Sequence, residues 1–177
     1  MKILDGKKLS QQIKEEIKQV VDLRKERGKN VPHLAAVLVG NDGASLTYVE
    51  SKVRSCEQVG FKSSLIHLES SITEQSLLTK IKELNNDDTL DGYIVQLPLP
   101  KHIDEEKILL AVDSKKDVDG FHPSNFGRMA LEMDSFVPAT PFGIMEMLRR
   151  NNIDISGKHC LVTVSYTHLT LPTNREV

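Results

Sequence analysis

Three side chains near residue 50 have the types and the spacing for chemistry. Ser45, Tyr48 and Lys52 stand at i, i+3 and i+7, which on a helix puts them on one face over two turns. A hydroxyl, a phenol and an amine so arranged can hold a polar ligand and move a proton. A free lysine amine titrates at about 10.4, too high for a base at neutral pH. Work as a base therefore requires a crevice that desolvates the amine or sets a second cation beside it. Taken alone, the spacing reads first as a solvated helix face with a tyrosine–lysine contact. Gln96 ends a short apolar run and leads into Leu97-Pro98-Leu99-Pro100; on its own it is a polar residue satisfying loop backbone. Asp117 and Asp119 stand just before Gly120, where carboxylates by default serve a turn.

The elements that must position these residues follow from periodicity. Leu9, Ile13, Ile17, Val20 and Val21 recur at helical spacing between Lys7 and Arg27, with Gly28 as a stop. The run 34–39 is apolar on both faces, as a central parallel strand requires. The turn Asn41-Asp42-Gly43 leads into a helix from Ala44 to Val59, stopped by Gly60. A strand over 62–68, a helix over 73–85 capped by Thr73, a strand over 92–95 and a helix over 104–112 follow. Strand and helix alternate, so the fold class is α/β with a parallel sheet and right-handed crossovers. The start of helix 44–59 and the exit at Gln96 then share the carboxyl edge of the sheet, where ligands usually bind.

From Asp113 to Thr140 the pattern is irregular, as expected of a functional loop or linker. A helix resumes with Pro141 at its first position and runs to about Asn151. Lys158 to Val164 reads as a fourth buried strand. Ser165 to Val177 do not fit: such a strand should enter a tight turn and a helix, yet this tail has no glycine and no amphipathic period.

Composition narrows the function classes. Lys+Arg number 23 against Asp+Glu 25, so no basic excess marks a nucleic-acid binder. No stretch approaches the roughly 20 apolar residues of a membrane span, and residues 1–5 turn polar too early for a signal peptide. Cys56 and Cys160 lie outside any metal-ligand spacing and read as reduced thiols of a cytoplasmic protein.

Four motifs stand in register: Val39-Gly40-Asn41 with Ser45-x-x-Tyr48-Val49-x-x-Lys52; Asp91-Gly92-x-x-Val95-Gln96-Leu97-Pro98-Leu99-Pro100; Lys116-Asp117-Val118-Asp119-Gly120-Phe121; and Pro138-Ala139-Thr140-Pro141-x-Gly143. Together, over residues 1 to about 164, they resemble the methylenetetrahydrofolate dehydrogenase/methenyltetrahydrofolate cyclohydrolase family. The resemblance implies a folate-binding catalytic domain over 1–140, the start of a Rossmann NAD(P) domain over 141–164, and a non-native tail over 165–177. It implies two reactions: oxidation of 5,10-methylenetetrahydrofolate to the methenyl form with NADP, and hydrolysis of the latter to 10-formyltetrahydrofolate. It also implies a homodimer at full length.

By the same resemblance Lys52 is the catalytic lysine and Gln96 its amide partner. Tyr48 stacks along the folate, and Ser45 adds a hydroxyl near Lys52. Asp119 holds the pterin through two adjacent N–H donors, with Asp117 as its rival. Pro141 and Gly143 form the hinge and border the ligand. The sequence departs from the family after Val164. There the family has a glycine-rich turn whose amides bind cofactor phosphates, and here Ser165-Tyr166-Thr167 follow. The chain as written is thus expected to lack the NADP site and the dehydrogenase step. The alternative is a non-catalytic folate-binding or interaction module on the same fold.

Overall fold

The computed structural model describes residues 3–161. Its elements are α1 (Gly6–Glu26), β1 (His33–Val39), α2 (Gly43–Val59), β2 (Lys62–Leu68), α3 (Glu74–Asn85), β3 (Gly92–Val95), α4 (Glu105–Ala111), α5 (Pro123–Ala130) and α6 (Ala139–Arg150). The sheet has the order β2-β1-β3, and β1 pairs parallel with both neighbours, His33 opposite Lys62 and Leu34 opposite Gly92. Its centrality explains its composition. Ala35, Val37 and Val39 pack on one face against Leu77 and Ile81 of α3 and Ile108 of α4. Ala36 and Leu38 pack on the other against Val49 of α2. Helices therefore cover both faces of the strand, and polar side chains have no room along it.

Local chemistry fixes the helix ends. Asp42 accepts the Ser45 amide to start α2, and Gly60 ends it at φ +82°. Thr73 caps α3 by accepting from the Ser76 amide, and Asp104 caps α4 through the Lys107 amide.

Three expectations are corrected. The stretch 113–140 is not without elements. Lys116 to Val118 lies along β3, with Tyr93 donating its amide to the Lys116 carbonyl at 2.9 Å and a parallel bridge between Tyr93 and Asp117. Helix α5 follows, its first turn satisfied by the His122 ring, which accepts from the Ser124 amide at 3.1 Å. Helix α6 begins at Ala139, so Pro141 is its third residue rather than its first. The missing proline N–H is harmless there too, because the first four helical amides lack intrahelical partners. Lys158 to Leu161 are not strand. No strand runs beside them among the described residues, and Leu161 is 86% exposed; without a neighbour a strand leaves its backbone groups unpaired. Val162 to Val164 of that expected strand, and the tail from Ser165, lie outside the described residues. Among the described residues, no helix is long and apolar enough to cross a membrane.

Candidate functional site

Helix α2 carries Ser45, Tyr48 and Lys52 from the carboxyl edge of β1 down one face of the sheet. Lys52 is half-buried, and its Nζ donates to Gln96 Oε1 at 3.3 Å. Gln96 Nε2 in turn donates to the Leu97 carbonyl at 2.8 Å. That second bond decides which end of the amide faces the lysine, since the nitrogen is already engaged. Gln96 thus does both things open to it from the sequence, satisfying loop backbone and holding the amine. The Leu97–Pro98 peptide is cis.

Ser45 does something else. It is 2% exposed, and its hydroxyl donates to Asp42 Oδ2 at 2.8 Å, with the Leu97 carbonyl at 3.5 Å. The structure therefore places this hydroxyl on the helix cap rather than on Lys52. The two bonds from Ser45 hold the Asp42 carboxyl below the ordinary carboxylate range, the backbone one foremost. Tyr48 is 64% exposed, an apolar ring left uncovered beside the Lys52 position.

Lys52 and Asp119 line one cavity of about 380 Å³, floored by Ala36 of β1 and Ile94 of β3 and bordered by Val118 and Ala139. That size suits a small-molecule site, commonly about 300–1,000 Å³. The cavity opens on the α2 side of the sheet, so the candidate site runs down that face from the edge where Gln96 lies. Asp119 is half-buried. Burial raises its carboxyl above the ordinary range, the Lys52 charge pulls it back, and the Asp117 charge pushes it up again. Asp117, in contrast, is 7% exposed, and its Oδ2 accepts from the His122 amide at 2.8 Å and from Asn125 Nδ2 at 3.0 Å. One carboxylate is bound into the fold, and the other faces the cavity.

Pro141 is exposed on α6. Gly143 lines a different cavity, about 580 Å³ and largely apolar, between α1, α2 and α6. Of that motif, only Ala139 borders the space shared by Lys52 and Asp119. Two residues that organise the site were not singled out from the sequence. Asp42 was readable, as an Asp three positions before Ser45 at a helix start. Asn125 was not, because only tertiary contacts reveal its bonds. Among the described residues, no cluster of His, Cys, Asp or Glu could hold a metal ion.

A half-buried amine and a half-buried carboxylate across one cavity, with an exposed ring nearby, suit a flat ligand with N–H donors at one end and a reactive centre at the other. The profile of the tetrahydrofolate dehydrogenase/cyclohydrolase catalytic domain matches residues 4–119. The bifunctional protein FolD of Flavobacterium johnsoniae is 68% identical over 162 residues, covering 92% of this chain and 55% of that protein. The FolD of Cytophaga hutchinsonii is 59% identical, covering 92% and 56%. The crystal structure of the Campylobacter jejuni bifunctional enzyme FolD superposes with a TM-score of 0.84 at 48% identity, over 87% of this chain and 55% of that one. The Trypanosoma brucei enzyme, solved with NADP and an inhibitor, gives 0.83 at 30% identity over 89% and 54%. The chain spans about half the length of the curated relatives it matches. Through the match over 4–119, which takes in Lys52, Gln96 and Asp119 alike, this chain belongs to the tetrahydrofolate dehydrogenase/cyclohydrolase family.

Proposed function

We propose that this chain carries the folate site of a methylenetetrahydrofolate dehydrogenase/methenyltetrahydrofolate cyclohydrolase and performs the hydrolytic step. The observation that carries the reading is the Lys52–Gln96 hydrogen bond of 3.3 Å at a cavity shared with Asp119. Asp119 accepts two N–H groups of the pterin, and Tyr48 covers the ring system. In the hydrolysis, water adds its oxygen to the cationic methenyl carbon. Lys52 takes up the proton released, and Gln96 holds it in place by accepting its hydrogen bond. The adduct then opens: its hydroxyl gives up its proton to solvent as the formyl C=O forms, the bond from that carbon to N5 breaks, and N5 receives the proton held by Lys52. The product is 10-formyltetrahydrofolate, with one proton released overall.

NADP supplies the oxidation of methylenetetrahydrofolate when bound to the whole enzyme. The residues present do not fit it. The last glycine of the chain is Gly157, which sits before the segment 158–161 in a turn with open space around it. Residues 158–177 hold no glycine that could bring backbone amides to a pyrophosphate. Dehydrogenase activity, and the homodimer implied by the family resemblance, belong to the full-length relative in this proposal. A cytoplasmic setting fits the free thiols of Cys56 and Cys160.

The test follows methenyltetrahydrofolate absorbance with this chain and with Lys52→Met. The expected result is enzymatic decay that falls by about 10²–10⁴-fold in the variant, the worth of general acid–base catalysis, with circular dichroism unchanged. Equal decay by both proteins overturns the lysine mechanism. Binding of folic acid without any decay by the unaltered chain makes it a non-catalytic folate module.

A further inference from the structure

We infer that Asn125 is a positioning residue, which aims Asp119 into the cavity by gripping Asp117. The inference rests on the reading of Asp119 as the pterin carboxylate. Asn125 is 4% exposed, a buried polar side chain in the first turn of α5. Its Nδ2 donates to the Ser114 carbonyl at 2.8 Å and to Asp117 Oδ2 at 3.0 Å. It also lies 3.5 Å from the Asp117 carbonyl. That carbonyl closes the next turn, accepting the Gly120 amide at 3.2 Å. One amide group therefore engages both acceptors of the residue that opens the turn carrying Asp119.

The turn is needed because two residues apart along an extended segment point the same way. Left extended, Asp117 and Asp119 would face the same surroundings. Here the turn over 117–120, with Gly120 at φ +70°, sends Asp117 toward α5 and Asp119 toward Lys52. Without Asn125, the buried Asp117 carboxylate loses a donor, which is costly for a charged group. Turning toward water would move its carbonyl, and with it the turn. It would also leave two carboxylates competing for one set of N–H donors. The Asp117 charge already pushes the Asp119 carboxyl upward.

The test is a double-mutant cycle on this chain. Folic acid affinity is measured by calorimetry for Asn125→Ala, Asp119→Ala and the pair, alongside kcat and KM for methenyltetrahydrofolate. Asn125→Ala is expected to weaken folic acid by about tenfold, the scale of a lost bond to a charged group. KM should rise while kcat stays within about twofold, and the pair should bind no worse than Asp119→Ala alone. Additive losses, or wild-type affinity in Asn125→Ala, overturn the inference. If Asn125→Ala fails to fold, Asn125→Ser, whose shorter side chain cannot span from the Ser114 carbonyl to Asp117 Oδ2, takes its place in the same cycle, with the same outcomes. Wild-type affinity in Asp119→Ala removes the pterin reading and the inference together. A loss there with an additive cycle removes only the inference.

Discussion

Asp117 and Asp119 stand two residues apart and meet different surroundings, which makes their behaviour with pH separable. Burial raises the Asp119 carboxyl above the ordinary range. Its folded pKa then exceeds its unfolded one, so between the two values the folded state binds more protons. By linkage, stability falls as pH rises through that window, and the cost of the buried charge is complete above it. Ligand binding has the opposite sign. Pterin N–H donors favour the ionised carboxylate, so folic acid affinity should be full above the raised value and decline as pH falls through it. Calorimetric titration across weakly acid pH should show that decline in the parent chain and a weak, flat profile in Asp119→Asn. A parent profile as flat as the variant's would detach Asp119 from the pterin. Asp42 offers a control away from the cavity. Its carboxylate caps α2, and Asp42→Ala should lower the urea midpoint while leaving the pH profile of folic acid binding as in the parent, because the loss is that of a helix cap.

At the scale of elements, the sequence was most readable where one local cause sufficed. The run 34–39 could only be a strand covered on both faces, and Thr73 and Gly60 marked helix ends by side-chain and backbone chemistry found in two or three residues. Helix α5 had weaker local cues. Pro123 stands at its first position, where proline is favoured, but Gly127 lies inside it and eight residues are too few for a helix to persist alone; Asn125 reaching back to Ser114 and Asp117 ties it down. The bond of the Ser45 hydroxyl was hidden for the same reason, since spacing gave its face on α2 but not the Asp42 carboxylate that accepts from it. The segment 116–118 depends on a glycine whose purpose emerges only in three dimensions. A methyl group on Gly92 would sit 2.3 Å from Val118 Cγ1 and 3.2 Å from the Lys116 carbonyl. Gly92→Ala must push that segment off β3, and Asp119 moves with it. We expect a loss of about 1–3 kcal/mol, as for overpacking elsewhere, together with a higher KM. Adding Val118→Ala removes the colliding methyl and should return part of the stability in urea melts. If Gly92→Ala melts like the parent, the strand-to-loop contact does not hold Asp119.

Over the whole molecule, the proposed hydrolytic step draws on side chains from three separate parts of the chain. Lys52, Gln96 and Asp119 come from α2, the exit of β3 and the turn beyond it, all within the parallel sheet and its crossovers. The proposed hydrolytic step asks of the chain only these side chains, with water as co-substrate. Hydride transfer needs a dinucleotide held by its phosphates, which a side-chain cluster on α2 does not supply. The backbone geometry that does supply it is a strand, a glycine-rich turn and a helix N-terminus in succession. Here Lys158 to Leu161 are without strand pairing, and no glycine follows Gly157. The two activities should therefore separate in this chain. NADP titrated by calorimetry should show no binding at micromolar concentration, while methenyltetrahydrofolate is still hydrolysed. Replacing the residues after Val164 with those of the Flavobacterium johnsoniae relative, 68% identical over the shared region, should bring NADP binding back and leave the hydrolytic KM within about twofold. Micromolar NADP binding by the present chain would mean that its phosphates are held by groups other than a glycine-rich turn.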